Sequence, residues 1–282
     1  MEAPRKRRDV LALALLFVAF LAAHQVGLRT ITPASPLSPV WPPAGVALGA
    51  FILLPRRTWW WGVGVIIASD AVSNAIVGVR MWVGLSYLVP SLAEVGVALY
   101  IINRIAGEGF TFRRVRDTFA LVVGAMLGAS IGGGIAALIA RLTAGAPIGQ
   151  SFETWWTADV LGMLLVTPLV VAWTRGAPSL RSVPIARATE GVLFLLFWSW
   201  GSFLIFRGDF TIGWLRPHPY MLASLMVWAS FRLGIRGVSA AMTSVAIIAI
   251  SVVLSGAERF PLGGGTLAEH LFLVQVFLVI MG

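Results

Sequence analysis

The sequence contains no cysteine, and charged residues make up only 12% of its 282 positions. The first absence excludes disulfides, thiolate metal sites, cysteine nucleophiles and iron–sulfur ligation. The second excludes a soluble enzyme, since an ordinary soluble domain carries about 25% charge. There is no nucleophile elbow, no phosphate loop and no paired-histidine zinc motif. Low-complexity segments and long soluble linkers are also missing, and the widest polar gaps, near 103–117 and 175–187, are too short to hold a catalytic domain. What is present is apolar: 58% hydrophobic residues and a mean hydropathy of +0.88. These features describe a membrane protein, without a cofactor or metal site legible in the sequence.

Apolar runs fall near 10–28, 41–55, 58–78, 81–102, 118–140, 154–174, 188–206, 217–232, 236–255 and 266–282. The fold class expected from them is all-α, a polytopic integral membrane helical bundle of about ten transmembrane helices with both termini cytoplasmic. Residues 1–9 read as a cytoplasmic basic N-terminus and 10–282 as the integral membrane domain. The run from Val10 to Val26 reads as a retained first helix, because His24-Gln25-Val26-Gly27-Leu28-Arg29 offers no small-residue cleavage site. The second and eighth runs enter through prolines, Trp41-Pro42-Pro43 and Arg216-Pro217-His218-Pro219, which suit a helix's first turn.

The net charge of +9 would suggest nucleic acid in a soluble chain. Here the basic residues lie in the gaps between runs, so no nucleic acid partner is expected. With the N-terminus inside and sides alternating, 15 basic residues fall inside and six, Arg29, Arg80, Arg141, Arg207, Arg216 and Arg259, fall outside. That asymmetry obeys the positive-inside rule and sets the orientation, with the lipid bilayer as the chain's first partner. Trp59 to Trp61 and Trp155-Trp156 suit interfacial belts. Gly124, Gly128 and Gly132 in the fifth run, and Gly45 and Gly49 in the second, form small-residue stripes for close helix packing.

Acids inside a membrane are costly and point to function. Asp70, Glu94 and Asp159 are the three. Asp70, Ser73 and Asn74 share one helical face, and Tyr87, Ser91 and Glu94 form a stripe at i, i+4 and i+7. Trp155 and Trp156 precede Asp159 by one turn. The expected ligand-binding set is therefore Asp70, Asn74, Tyr87, Ser91, Glu94, Trp155, Trp156 and Asp159, in a polar pocket opening outward. No lysine or arginine lies at their depth. The acids must be protonated, share hydrogen bonds, reach rim arginines such as Arg80 or Arg141, or meet a bound cation or amine. The competing reading is polar glue between helices. Pro90 is expected to kink the fourth helix one turn before Glu94, and Thr167-Pro168 the sixth. His24, His218 and His270 fall near outer helix ends with Glu153, Asp209 and Glu269, and isolated interfacial histidine is the default reading there.

At this point the residues resemble a known family. Trp41-Pro42-Pro43-Ala44-Gly45, the stretch Trp155 to Gly162 containing Asp159, Thr167-Pro168, Trp228 to Gly234 containing Arg232, and Leu273 to Leu278 containing Gln275 are together similar to the first of the bacterial membrane-associated sensor domains, MASE type one. The resemblance covers nearly the whole chain. It implies an input module of signalling proteins that precedes a cytoplasmic output domain, such as a histidine kinase, PAS, diguanylate cyclase or phosphodiesterase domain. It also implies a homodimer as one arrangement, since such outputs work in pairs. The sequence stops at Gly282 without an output, so the expectation is either a fragment of a receptor or a stand-alone form that signals through a partner in trans.

The function expected is thus a non-enzymatic sensor that binds a small molecule or ion and relays helix movement. The alternatives are a membrane transporter or substrate-capturing transporter subunit, which midplane acids and kinked helices suit equally, and a purely structural anchor.

Overall fold

A computed structural model describes residues 2–31, 38, 40–107, 109–175, 183–208, 218–255 and 267–281. Among them are ten α-helices: α1 (Glu2–Arg29), α2 (Pro42–Leu53), α3 (Trp59–Ile76), α4 (Met81–Ile105), α5 (Val115–Ala144), α6 (Ile148–Thr174), α7 (Ile185–Arg207), α8 (Leu222–Arg232), α9 (Gly234–Leu254) and α10 (Leu267–Met281). Each coincides with one expected apolar run. Arg181, Asp209, Arg216, Pro217 and Arg259 lie outside the described residues.

Six helices are long and apolar enough to cross a membrane: α1, α4, α5, α6, α7 and α9. The others depart from the expected full spans. The 12 residues of α2 and the 11 of α8 extend only about 18 and 16 Å at 1.5 Å per residue, well short of a hydrocarbon core about 30 Å thick. At 18 residues α3 is longer, but it carries Asp70 and Asn74 within it. Residues 2–9 are helical and form the first turns of α1.

The chain divides into two compact units. In the first, comprising 1–32 and 36–171, α1 packs on α2 and α3, α4 packs along α5, and α6 lies against α2, α4 and α5. The glycine stripe of α5 explains the α4–α5 contact. A Cβ at Gly124 would lie 3.0 Å from the Ala98 carbonyl oxygen, one at Gly128 would meet the Glu94 carbonyl at 2.5 Å, and one at Gly132 would meet the Glu94 carboxyl at 2.5 Å. The helices touch backbone to backbone, as small residues permit.

Gly45 of α2 and Gly162 of α6 make a second such crossing. A Cβ on either would overlap backbone, the Gly162 carbonyl in one case and the Trp41 carbonyl in the other. The Trp41 N–H donates to the Ala158 carbonyl at 3.1 Å, and Thr167 Oγ1 donates to the Gly45 carbonyl at 3.2 Å. The half-length α2 therefore begins beside the middle of α6, and its irregular entry is satisfied by protein, as non-helical backbone at membrane depth requires.

One end of this unit is strongly basic. The Arg57 guanidinium reaches Asp9 at 2.8 Å, joining the start of α1 to the α2–α3 turn, and Arg116 donates to the Ala106 carbonyl at 3.0 Å, closing the α4–α5 turn. Exposed Trp60 and Trp61 ring this end.

In the second unit, 33–35 and 172–282, α9 packs against α7, α8 and α10. Buried Trp198 donates to the Ala241 carbonyl at 2.8 Å. Gly234, at φ +63°, forms the turn between α8 and α9, a left-handed conformation that favours glycine. Arg232 pairs with Glu190 across α7 and α8, and Gln275 of α10 is buried.

Candidate functional site

The first unit encloses a cavity of about 310 Å³. Its walls come from the C-terminal ends of α1 and α3 and the N-terminal halves of α4 and α6, all at the end opposite the basic turns. Of the residues expected from sequence, Asp70, Asn74, Tyr87, Ser91, Trp155 and Asp159 line it. Glu94 and Trp156 do not.

Asp70 sits at one wall, 6% exposed, and is fully engaged. His24 Nε2 lies 3.1 Å from Oδ1, and the Asn74 amide donates to Oδ2 at 2.8 Å. The pairing follows from local helix geometry, because Asn74 stands one turn after Asp70. Asn74 in turn fills the space above Gly84, where no Cβ would fit. His24 Nδ1 and the Gln25 amide both meet Ser73 Oγ, at 2.6 and 2.8 Å. His24 is thus a buried partner of an intramembrane acid rather than an isolated interfacial residue. Its position was legible: Leu16, Phe20 and His24 recur at four-residue spacing on the buried stripe of α1. No described rim arginine pairs with Asp70, and Arg141 instead donates to the Gly145 carbonyl at the end of α5.

The opposite wall is built differently. Asp159 is 2% exposed and lines the cavity. It stands 11 residues into α6, roughly 17 Å along the helix, deeper than expected because α6 begins at Ile148 instead of near 154. Behind it lies Glu94, 0% exposed, on the same helix as Tyr87 and Ser91, two turns further in than Tyr87 and just under one turn beyond Ser91. The two carboxyl groups are close enough to interact electrostatically. Trp155 Nε1 donates to Glu94 Oε2 at 3.1 Å. Glu94 Oε1 and Asp159 Oδ1 receive no hydrogen from any described group.

Trp155 therefore has two contacts. Its ring stacks on Tyr87 with centroids 5.6 Å apart, facing the cavity, while its N–H holds Glu94. Trp156, one residue on, is turned to α5, where its N–H meets the Met126 carbonyl and Ser130 Oγ, both at 3.1 Å. Trp41, which sequence reasoning placed only in a motif, also lines the cavity and meets His24 edge-on at 4.8 Å. The aromatic wall and the two acidic poles form a concave, mostly apolar site with a few polar groups, the usual build of a small-molecule pocket.

The motif residues Trp41, Pro42, Pro43, Gly45, Asp159, Thr167 and Pro168 belong to this first unit and frame the cavity through the α2–α6 crossing. Arg232, Gly234 and Gln275 belong to the second. Comparison with known proteins gives one family: the model for MASE1 matches residues 10–282. No curated protein and no solved structure matches the chain.

Proposed function

The chain belongs to the MASE1 family, multi-pass membrane sensor domains of signalling proteins that are themselves non-catalytic, and on that premise we propose that the cavity at Asp70 and Asp159 is the cue-binding site of a sensor. The observation that carries this reading is the cavity itself, lined by polar and aromatic residues of α1, α3, α4 and α6 and by Trp41, with Asp159, a buried acid with one oxygen that lacks a donor, among them. Polar glue alone would bring the acids against each other or against neighbouring helices without leaving about 310 Å³ open between them.

The positive-inside rule supports an outward-facing mouth. The basic turns with Arg56, Arg57, Arg104, Arg113, Arg114 and Arg116 lie at the end of the first unit away from the cavity. The relay in this proposal runs through contacts already packed. A guest against Trp155 and Asp159 presses on Glu94, and Glu94 sits on Gly132 of α5 with no slack. Trp41 carries the same guest's position into α2 at the Gly45–Gly162 crossing. A cue shifts this arrangement only by binding one state better than another. The movement then passes to a cytoplasmic output domain or partner.

The test is the signalling output of the intact host protein, or of its partner, with Asp159→Asn. The response per folded molecule in the membrane should fall at least tenfold while the amount of folded protein is retained. An unchanged response per folded molecule would make Asp159 packing material and remove the proposal.

A further inference from the structure

The two acidic poles of the cavity differ in how they are satisfied, and the difference bears on what the cavity accepts. Asp70 has both oxygens engaged, by His24 and Asn74. Asp159 lines the same cavity with Oδ1 lacking any described donor, and its titratable neighbour is another carboxyl group, Glu94. Among the described residues no arginine or lysine lines the cavity, and the one histidine that does is already held between Asp70 and Ser73. Burying a carboxylate without a donor is strongly unfavourable, so a cation seated beside Asp159 removes a penalty that the protein's own residues leave in place.

The adjoining wall selects among cations. Tyr87 and Trp155 present stacked rings, and Trp41 and Phe20 stand nearby. Electron-rich ring faces attract ammonium groups bearing apolar substituents. Hard metal ions such as Ca²⁺ and Mg²⁺ instead take about six or more oxygen ligands, and among the described residues no group of three or more histidine, aspartate or glutamate side chains is placed to hold a metal. An anion would face two carboxyl groups, and a neutral guest without a donor would leave Asp159 Oδ1 as it is. We infer that the cavity takes an organic ammonium ion, its N–H on Asp159 and its apolar body against Tyr87 and Trp155. This rests on the cavity being the cue-binding site.

The experiment uses the full chain in nanodiscs, with empty nanodiscs as the partition control, and three probes that share one carbon skeleton: 3,3-dimethylbutylammonium, 3,3-dimethylbutanol and 3,3-dimethylbutyrate. Saturable binding of the ammonium at least tenfold tighter than the alcohol, with the carboxylate weakest, is the expected order. Asp159→Asn should weaken the ammonium at least tenfold and change the alcohol less than threefold. Tyr87→Ala should weaken the ammonium about threefold or more. The wild-type order and Tyr87→Ala decide the matter even where Asp159→Asn fails to fold. Equal or tighter binding of the alcohol or the carboxylate overturns the ammonium assignment and leaves a ligand cavity standing. No saturable binding of any probe overturns it as well. Ammonium binding that depends on Asp159, beside an output indifferent to Asp159→Asn, keeps the assignment and removes the sensor reading.

Discussion

Gly162→Ala is the sharpest probe of the frame around the cavity. In an isolated helix interior the change favours the helix by about 1 kcal/mol. At this position the added Cβ lies 2.7 Å from the Trp41 carbonyl carbon and closer still to its oxygen. Carbon atoms pack best at about 3.5–4.0 Å, so the start of α2 must retreat by roughly 1 Å. That retreat strains a well-packed contact, at about 1–3 kcal/mol. It also stretches the Trp41–Ala158 and Thr167–Gly45 hydrogen bonds, each worth about 1 kcal/mol. The net expectation is a loss on the order of 2 kcal/mol. Gly134→Ala is the matched control, since a Cβ there meets nothing within 4 Å, and it should gain up to about 1 kcal/mol. Both are read by sodium dodecyl sulfate titration of the protein in mixed micelles, followed by far-ultraviolet circular dichroism. A Gly162→Ala protein as stable as wild type, or a Gly134→Ala protein that loses as much as Gly162→Ala, would refute the backbone-contact argument.

Two further predictions concern the other polar wall and the orientation. Removing His24 leaves Asp70 without its basic partner, so His24→Ala should lose about 3 kcal/mol; His24→Ala with Asp70→Asn should lose at least about 1 kcal/mol less than the sum of the singles in the same titration, and strict additivity would show that the 3.1 Å contact is energetically idle. Because the chain has no cysteine, Thr143→Cys should react with a membrane-impermeant maleimide on intact cells and Arg104→Cys only after lysis, whereas the reverse pattern would invert the orientation and close the cavity to outside cues.

Much of the helix layout was legible because hydropathy alternates sharply with arginine-rich gaps. The ends were harder to read. Residues 148–153 contain Gln150 and Glu153 and read as a loop, yet they form the first turns of α6, where Trp156 and Phe152 pack on α5. The shortness of α2 follows from Trp41-Pro42-Pro43, which fixes where a helix starts but does not reveal that the start lies beside mid-α6. The acids of the site stood out by their cost, and the single faces of Asp70/Asn74 and Tyr87/Ser91 by spacing. Their partners depended on tertiary contacts between distant segments. His24 and Asp70 are 46 residues apart, and only the buried stripe through Leu16 and Phe20 hinted at the pairing. The turning of Trp156 away from Trp155 follows from helical rotation of about 100° per residue, which tandem aromatics in a sequence do not display.

Glycine and acid turn out to be linked in this unit. Asn74 occupies the space that Gly84 leaves, the Glu94 carboxyl occupies the space that Gly132 leaves, and the Trp41 carbonyl occupies the space that Gly162 leaves. A polar group inside a bilayer needs a partner or a pocket, and a glycine on the facing helix is how room for one is made without opening the packing elsewhere. The small-residue stripes are therefore more than a means of bringing helices close. They also make room for the polar groups themselves: for Asn74, whose amide donates to Asp70, and for the Glu94 carboxyl that Trp155 holds.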